Sequence, residues 1–91
     1  MTLLERAARI HHRLAFIHPF PNGNGRFSRF VSNLFLFSYR CTLPSWPLEM
    51  NKDGCLHRTM YLNILREADQ GNFQPLIDYI RSLGAKEKMS S

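Results

Sequence analysis

The sequence predicts an all-α domain, a small helical bundle, and three observations carry that prediction. Apolar residues recur at spacings of three and four along four segments. No alternating period-two run of useful length appears. Most of the prolines and glycines fall between the segments, where they break them.

The first segment opens on Thr2-Leu-Leu-Glu5, the pattern of a capping box in which Thr2 accepts from a first-turn amide and Glu5 reaches back. Leu3, Ala7, Ile10, Leu14 and Ile17 then form an apolar stripe on a helix of about four turns, with Arg6, Arg9 and Arg13 on another face. Pro19, Pro21 and the run Asn22-Gly-Asn-Gly25 end it. A second helix is expected from near Gly25 to about Tyr39. Phe27, Phe30, Val31, Leu34, Phe35 and Ser38 line one side of it, and Leu36 and Phe37 widen the apolar surface. A helix this apolar is expected at the centre of a bundle. Its polar stripe is Arg26, Arg29 and Asn33.

Residues 42–53 read as a loop broken by Pro44 and Pro47, with Trp46 anchoring it against the bundle. Asp53 is placed to cap a third helix running to about Ala68, with a core stripe of Leu56, Met60, Ile64, Leu65 and Ala68. After the turn Gln70-Gly-Asn72, Asn72 caps a last helix with Pro75 in its first turn. Leu76, Ile77, Ile80 and Leu83 form its buried face and Gly84 ends it. The core is expected to span 1–85, and 86–91 to be a disordered polar tail.

The 91 residues are 44% hydrophobic and 21% charged, which suits one globular domain rather than a disordered chain. A net charge of +5 favours anionic partners. The basic residues are spread over every helix without a groove-reading stripe, which argues against nucleic acid. Cys41 and Cys55 form no zinc-type spacing and are expected as buried, reduced thiols in a cytoplasmic protein. The first residues do not resemble a signal peptide, and the longest apolar stretch is too short and interrupted for a bilayer.

The chemistry lies in His18–Arg29, HPFPNGNGRFSR. Gly23 and Gly25 permit close backbone approach to a ligand, and the loop feeds a helix N-terminus whose free N–H groups and dipole favour an anion. Arg26 and Arg29 add two guanidinium forks at an end where unpaired cations oppose the dipole, which points to a bound anion. His18, at the other lip, is suited to take a proton from a hydroxyl. Phosphoryl and nucleotidyl transfer need an aligned nucleophile and a phosphate clamp, usually with Mg²⁺. Asn22 can offer an oxygen to that metal, or can simply be a turn residue. The loop lacks the Gly-Lys-Ser/Thr ending of a P-loop and the preceding strand of a dinucleotide fingerprint.

HPFPNGNGRFSR closely resembles the signature of Fic-domain (Fic/DOC) proteins, H-x-F-x-(D/E)-G-N-G-R-x-x-R. The lead-in Ala7–Ile17 and the stretch YLNILREADQGNFQPLIDYI (61–80) resemble the family's flanking helices, so the likeness covers roughly residues 3–83. It implies a Fic-like core whose active-site loop lies between two central helices. It implies an adenylyltransferase that moves AMP from ATP, with Mg²⁺, to a Ser, Thr or Tyr hydroxyl of a target protein. His18 would be the catalytic base. Phe20, Gly23, Asn24, Gly25, Arg26 and Arg29 would be the nucleotide set: Phe20 buried and anchoring the loop, Gly23–Gly25 the phosphate nest, Arg26 on the β/γ-phosphates, and Arg29 supporting it. Some relatives transfer other phosphate-containing groups. Trp46 could line the adenine pocket instead of anchoring its loop.

Two features depart from the family pattern. Asn22 stands where Asp or Glu is usual, and a neutral oxygen holds a hard cation less well. Only seventeen residues precede His18, whereas family members carry further helices and a target-aligning β-hairpin upstream. The chain therefore looks truncated on its N-terminal side. Another chain or a second copy completes the site, or this is a fragment, or targets are held differently. The alternative to an enzyme is a weak or inactive Fic-like module that binds nucleotide or a partner protein. His11, His12 and His57 are expected to serve packing or surface polarity.

Overall fold

The structure is a computed structural model that describes residues 2–17, 24–47 and 56–87; for Asn24, Gly25, Leu56 and His57 it describes the backbone alone. Four helices follow in chain order: α1 Leu3–Ile17, α2 Asn24–Ser38, α3 Leu56–Asp69 and α4 Gln74–Ser82. No strand forms among the described residues, only an isolated antiparallel bridge between Thr42 and Lys86. The protein is all-α. No helix among the described residues is long and apolar enough to cross a membrane.

Helix α1 starts as its sequence suggests, with the Glu5 amide donating to Thr2 Oγ1 at 3.1 Å. The Glu5 carboxylate does not turn back; it lies 3.8 Å from Arg9. A second first-turn amide, that of Leu3, donates to Glu87 Oε1 at 2.7 Å. This places a carboxylate at the positive end of the helix dipole. Lys86 and Glu87, expected in the tail, are thus paired to the bundle; the rest of that tail lies outside the described residues.

The core joins Leu4, Ala7 and Ala8 of α1, Leu36 of α2, Cys41, Leu76, Ile77 and Ile80 of α4, and Ala85. Cys41 is buried and free, and burial together with the Glu87 carboxylate pushes its thiol up. Cys55 and Asp53 lie outside the described residues. A second cluster, Tyr61 and Tyr79, sits beside Trp46, Ile64, Leu65 and Leu83.

The buried faces of α1 and α2 differ from the expected stripes. On α1 they are Leu4, Ala7, Ala8 and His11, a face rotated by roughly 90° from the Leu3–Ile17 stripe at 100° per residue. On α2, Ser28, Arg29, Ser32 and Leu36 are buried, while Phe30, Leu34 and Phe37 of the expected face are exposed. The two helices pack on each other more than any other pair. The buried faces carry Ala7, Ala8, Ser28 and Ser32, side chains small enough for close approach. Close contact between small residues decides the orientation over the size of the apolar side chains. Helix α2 is therefore covered on one side and not sunk in the centre of a bundle.

In α3, Tyr61 and Ala68 are buried, Ile64 and Leu65 half-buried, and Met60 is exposed, so Tyr61 takes the core place expected of Met60. In α4 the buried residues are Leu76, Ile77, Tyr79 and Ile80, with Leu83 half-buried. Its N-cap is Phe73, without a side-chain cap. Asn72 does not cap it, because the Asn72 amide donates to Glu67 Oε2 at 3.1 Å instead.

Three helices end in the same way. After α2 the Cys41 amide donates to Leu36 O and the Arg40 amide to Phe37 O; after α3, Asn72 donates to Glu67 O and Gly71 to Ala68 O; after α4, Ala85 donates to Ile80 O and Gly84 to Arg81 O. Each is the paired bond pattern of a Schellman motif, which requires a left-handed residue at C′. Gly71 (φ 91°) and Gly84 (φ 109°) fill that position in two of them, and Arg40 (φ 61°) in the third.

Candidate active site

The expected phosphate loop lies between α1 and α2. Of its residues, His18, Phe20, Asn22 and Gly23 lie outside the described part, and Asn24 and Gly25 form the first backbone positions of α2. The helix thus begins where a loop ending in Gly-Asn-Gly should deliver it. Its first turn holds no acidic residue, so no carboxylate of that turn offsets the positive end of the helix dipole. Arg26 is exposed on that first turn. The positive end of the dipole and an exposed guanidinium together suit an anion.

Arg29, one turn on, is placed differently. It is only 8% exposed. Its guanidinium carbon lies 5.9 Å from the ring centroids of both Trp46 and Tyr61. Asn33, one turn further, accepts a hydrogen bond from Trp46 Nε1 at 3.2 Å. The stripe of Arg26, Arg29 and Asn33 therefore splits: Arg26 reaches solvent, and Arg29 and Asn33 face an aromatic cluster. Trp46 anchors its loop against that cluster.

His11 completes the cluster from α1. Its ring stacks on Trp46 at 5.3 Å and 13°, and Nε2 shares a hydrogen bond with the Tyr61 hydroxyl. Burial, then the Arg29 charge, lowers its pKa to about 3; a backbone interaction at Ser28 pulls the other way. His11 is therefore neutral at physiological pH. Nδ1 has no partner of good hydrogen-bond geometry among the described residues. Burial raises the Tyr61 phenol to about 12, with the neighbouring Arg29 guanidinium opposing that rise through its charge and a hydrogen bond.

His12 lies outside this cluster, with Nε2 2.7 Å from Asp69 Oδ1 and its ring edge-on to Phe73 at 5.3 Å. The expectation that His11 and His12 serve packing and polarity describes both of them. It missed the cluster that His11 builds with Tyr61 and Arg29. The available signal was spacing: Leu4, Ala7, Ala8 and His11 follow the three-and-four pattern of one helix face, which puts a histidine on the buried stripe. Among the described residues no group of three or more His, Cys, Asp or Glu could hold a metal ion.

Known sequences match the region that contains the loop. The family model described as Fic/DOC family matches residues 1–36. Among curated proteins, the chain is 38% identical over 77 residues to "Protein adenylyltransferase Fic" of Aedes aegypti, covering 85% of this chain and 14% of that protein. It is 38% identical over 74 residues to the protein of the same name in Culex quinquefasciatus, covering 81% of this chain and 13% of that one. It is 32% identical over 77 residues to "Protein adenylyltransferase fic-1" of Caenorhabditis elegans, covering 85% and 14% respectively. The chain thus spans about one seventh of the length of these relatives. No solved structure matches it significantly. With the signature loop set between α1 and α2 of an all-α domain and the family match running across it, the chain belongs to the Fic/DOC family.

Proposed function

We propose that the chain is the nucleotide-binding and catalytic core of a protein adenylyltransferase, moving AMP from ATP to a Ser, Thr or Tyr hydroxyl of a target protein. The observation that carries this reading is the start of α2: it begins at Asn24, directly after the HPFPNG loop, with Arg26 exposed and no acid in the first turn. That end suits the phosphates of ATP. In this reading His18 takes the proton of the attacking hydroxyl. Gly23, Asn24 and Gly25 present backbone amides to the phosphates, with Phe20 anchoring the loop. Arg26 takes up charge on the departing pyrophosphate, and Arg29 supports the clamp from below. Mg²⁺ would accompany the nucleotide and supply charge neutralisation there, with Asn22 as a contact from the chain; no donor set among the described residues adds to it. The partners proposed are the target protein and a further chain or second copy that completes the site. The setting proposed is cytoplasmic.

The test is labelling with ATP carrying its label on the α-phosphate, in the presence of Mg²⁺, with His18→Ala alongside. Label on the chain or on added protein, reduced by about 10² or more in the mutant, is expected of a general base. Equal labelling by the mutant would sink the mechanism.

One feature favours a second reading, a module that binds nucleotide or a partner while transferring little: Asn22 stands where the family signature has a carboxylate. Restoring the charge with Asn22→Asp should raise transfer if the chain is a slow enzyme. Silence from that variant, with ATP still bound, favours the module.

A further inference from the structure

Arg29 belongs to the signature motif, yet the structure buries it and does not leave it beside Arg26 at the open end of α2. A buried guanidinium with five donors needs acceptors or aromatic faces. The cluster of His11, Trp46 and Tyr61 supplies both.

The hydrogen-bond directions can be assigned. Arg29 can only donate, and its guanidinium carbon lies 5.9 Å from the Tyr61 ring centroid, so toward the phenol oxygen it is the donor and that oxygen the acceptor. The Tyr61 proton is then directed to its other neighbour, Nε2 of His11, which accepts. For Nε2 to accept, the His11 ring must be neutral, with its proton on Nδ1. Burial and the nearby Arg29 charge keep it so. The chain of donors therefore runs one way, from Arg29 through Tyr61 to His11. Trp46 fixes the ensemble from the side. It stacks on His11 at 5.3 Å, stands edge-on to Tyr61 at 6.3 Å, and is tied to α2 through Asn33 at 3.2 Å.

We propose that His11, Tyr61 and Trp46 are positioning residues that hold the Arg29 guanidinium in one orientation beneath the N-terminus of α2. On the adenylyltransferase reading, on which the functional half of this inference rests, the held guanidinium favours the polyphosphate of ATP over a nucleotide with one phosphate. Three elements distant in sequence, α1, the loop after α2, and α3, converge on this one side chain. A side chain fixed before the ligand arrives spends no ordering entropy on binding it.

Two measurements on the full chain test this, with Tyr61→Phe as the main variant because it keeps the ring and removes only the hydroxyl. The first is NMR of the Arg29 side chain, assigned by its loss in Arg29→Lys. A single Arg Nε–H resonance, slow to exchange in the wild type and fast in Tyr61→Phe, is the expected result. An Arg29 signal that exchanges equally fast in both overturns the proposal, whatever the chain binds. The second is the ratio of AMP to ATP dissociation constants by calorimetry, measured well below each variant's melting temperature. Loss of one charge-assisted hydrogen bond should reduce that ratio by about tenfold in Tyr61→Phe. His11→Leu, which removes the acceptor, should do the same, with a smaller loss. An unchanged ratio alongside a lower melting temperature would mean that the cluster serves stability alone, and would overturn the positioning role. Failure of the wild type to bind ATP would sink the adenylyltransferase reading, while the exchange measurement would still decide whether the cluster holds Arg29.

Discussion

His11 shows how one side chain ties packing to solution conditions. A histidine in the unfolded chain titrates near its ordinary value of 6.5, and the buried one near 3. Between those values the unfolded state carries a proton that the folded state refuses. Stability is therefore complete above pH ~6.5 and is lost as the pH falls towards 3, at up to about 1.4 kcal/mol per pH unit from this group. The charged groups around it act in the same direction, Arg29 and His12 both disfavouring a charged ring, while the Ser28 backbone opposes them. The expected outcome is a stability curve, from denaturant unfolding at pH 6.5 and 5, that falls on acidification. The fall should be shallower in His11→Leu by about one proton's linkage. That interval precedes most carboxylate titration, and the other three histidines contribute equally to both proteins. A slope identical in the two proteins would show that His11 takes up its proton while folded.

At the scale of the helix, a buried face is a choice of partner, and α2 makes that choice visible. Leu36, 1% exposed, lies in the core, and its neighbour Phe37 is 68% exposed. Leu36→Ala should cost about 2–5 kcal/mol and Phe37→Ala within about 0.5 kcal/mol of nothing, read from chemical denaturation. Similar losses for both would mean that the apolar face is covered in solution. The sequence makes the four helices, their order and their breaks plain, because period and punctuation are local properties. It does not reveal which arc of α2 turns inward, since Phe30, Leu34 and Phe37 outweigh Ser28 and Ser32 on any hydrophobicity scale. Orientation is fixed by a helix twenty residues away in the chain. Helix ends test the same point. Gly71 occupies a left-handed position with open space around an added Cβ. Gly71→Ala should therefore lose about 1 kcal/mol from backbone strain alone. Arg40 already bears that strain in the equivalent position after α2. Arg40→Gly should leave stability unchanged or raise it by up to about 1 kcal/mol, the strain relieved being partly offset by the added freedom of the unfolded chain.

For the molecule as a whole, the candidate site was legible in kind and not in arrangement. The glycines, His18 and both arginines stand within twelve residues of sequence, so their chemistry could be read directly. The support beneath Arg29 comes from His11, Trp46 and Tyr61, which no local pattern links. Closure of the bundle is equally non-local. Thr42 and Lys86 exchange two backbone hydrogen bonds, at 2.8 and 3.2 Å, and Glu87 caps α1 through Leu3. These bonds tie the segment after α4 to the segment after α2 and to the start of the chain, and α1 carries the helix face on which His11 sits. A chain ending at Ala85 gives up both backbone bonds and the cap. At about 0.5–1.5 kcal/mol for each hydrogen bond and 0.3–1 for the carboxylate at the helix start, it should be about 1–4 kcal/mol less stable. Glu87→Gln removes the charge and keeps an acceptor, so it should cost less than about 1 kcal/mol, and that cost should shrink as salt is added. If the shortened chain unfolds at the same denaturant concentration as the full one, the Thr42–Lys86 pairing contributes nothing net, and α1 is held by its core face alone.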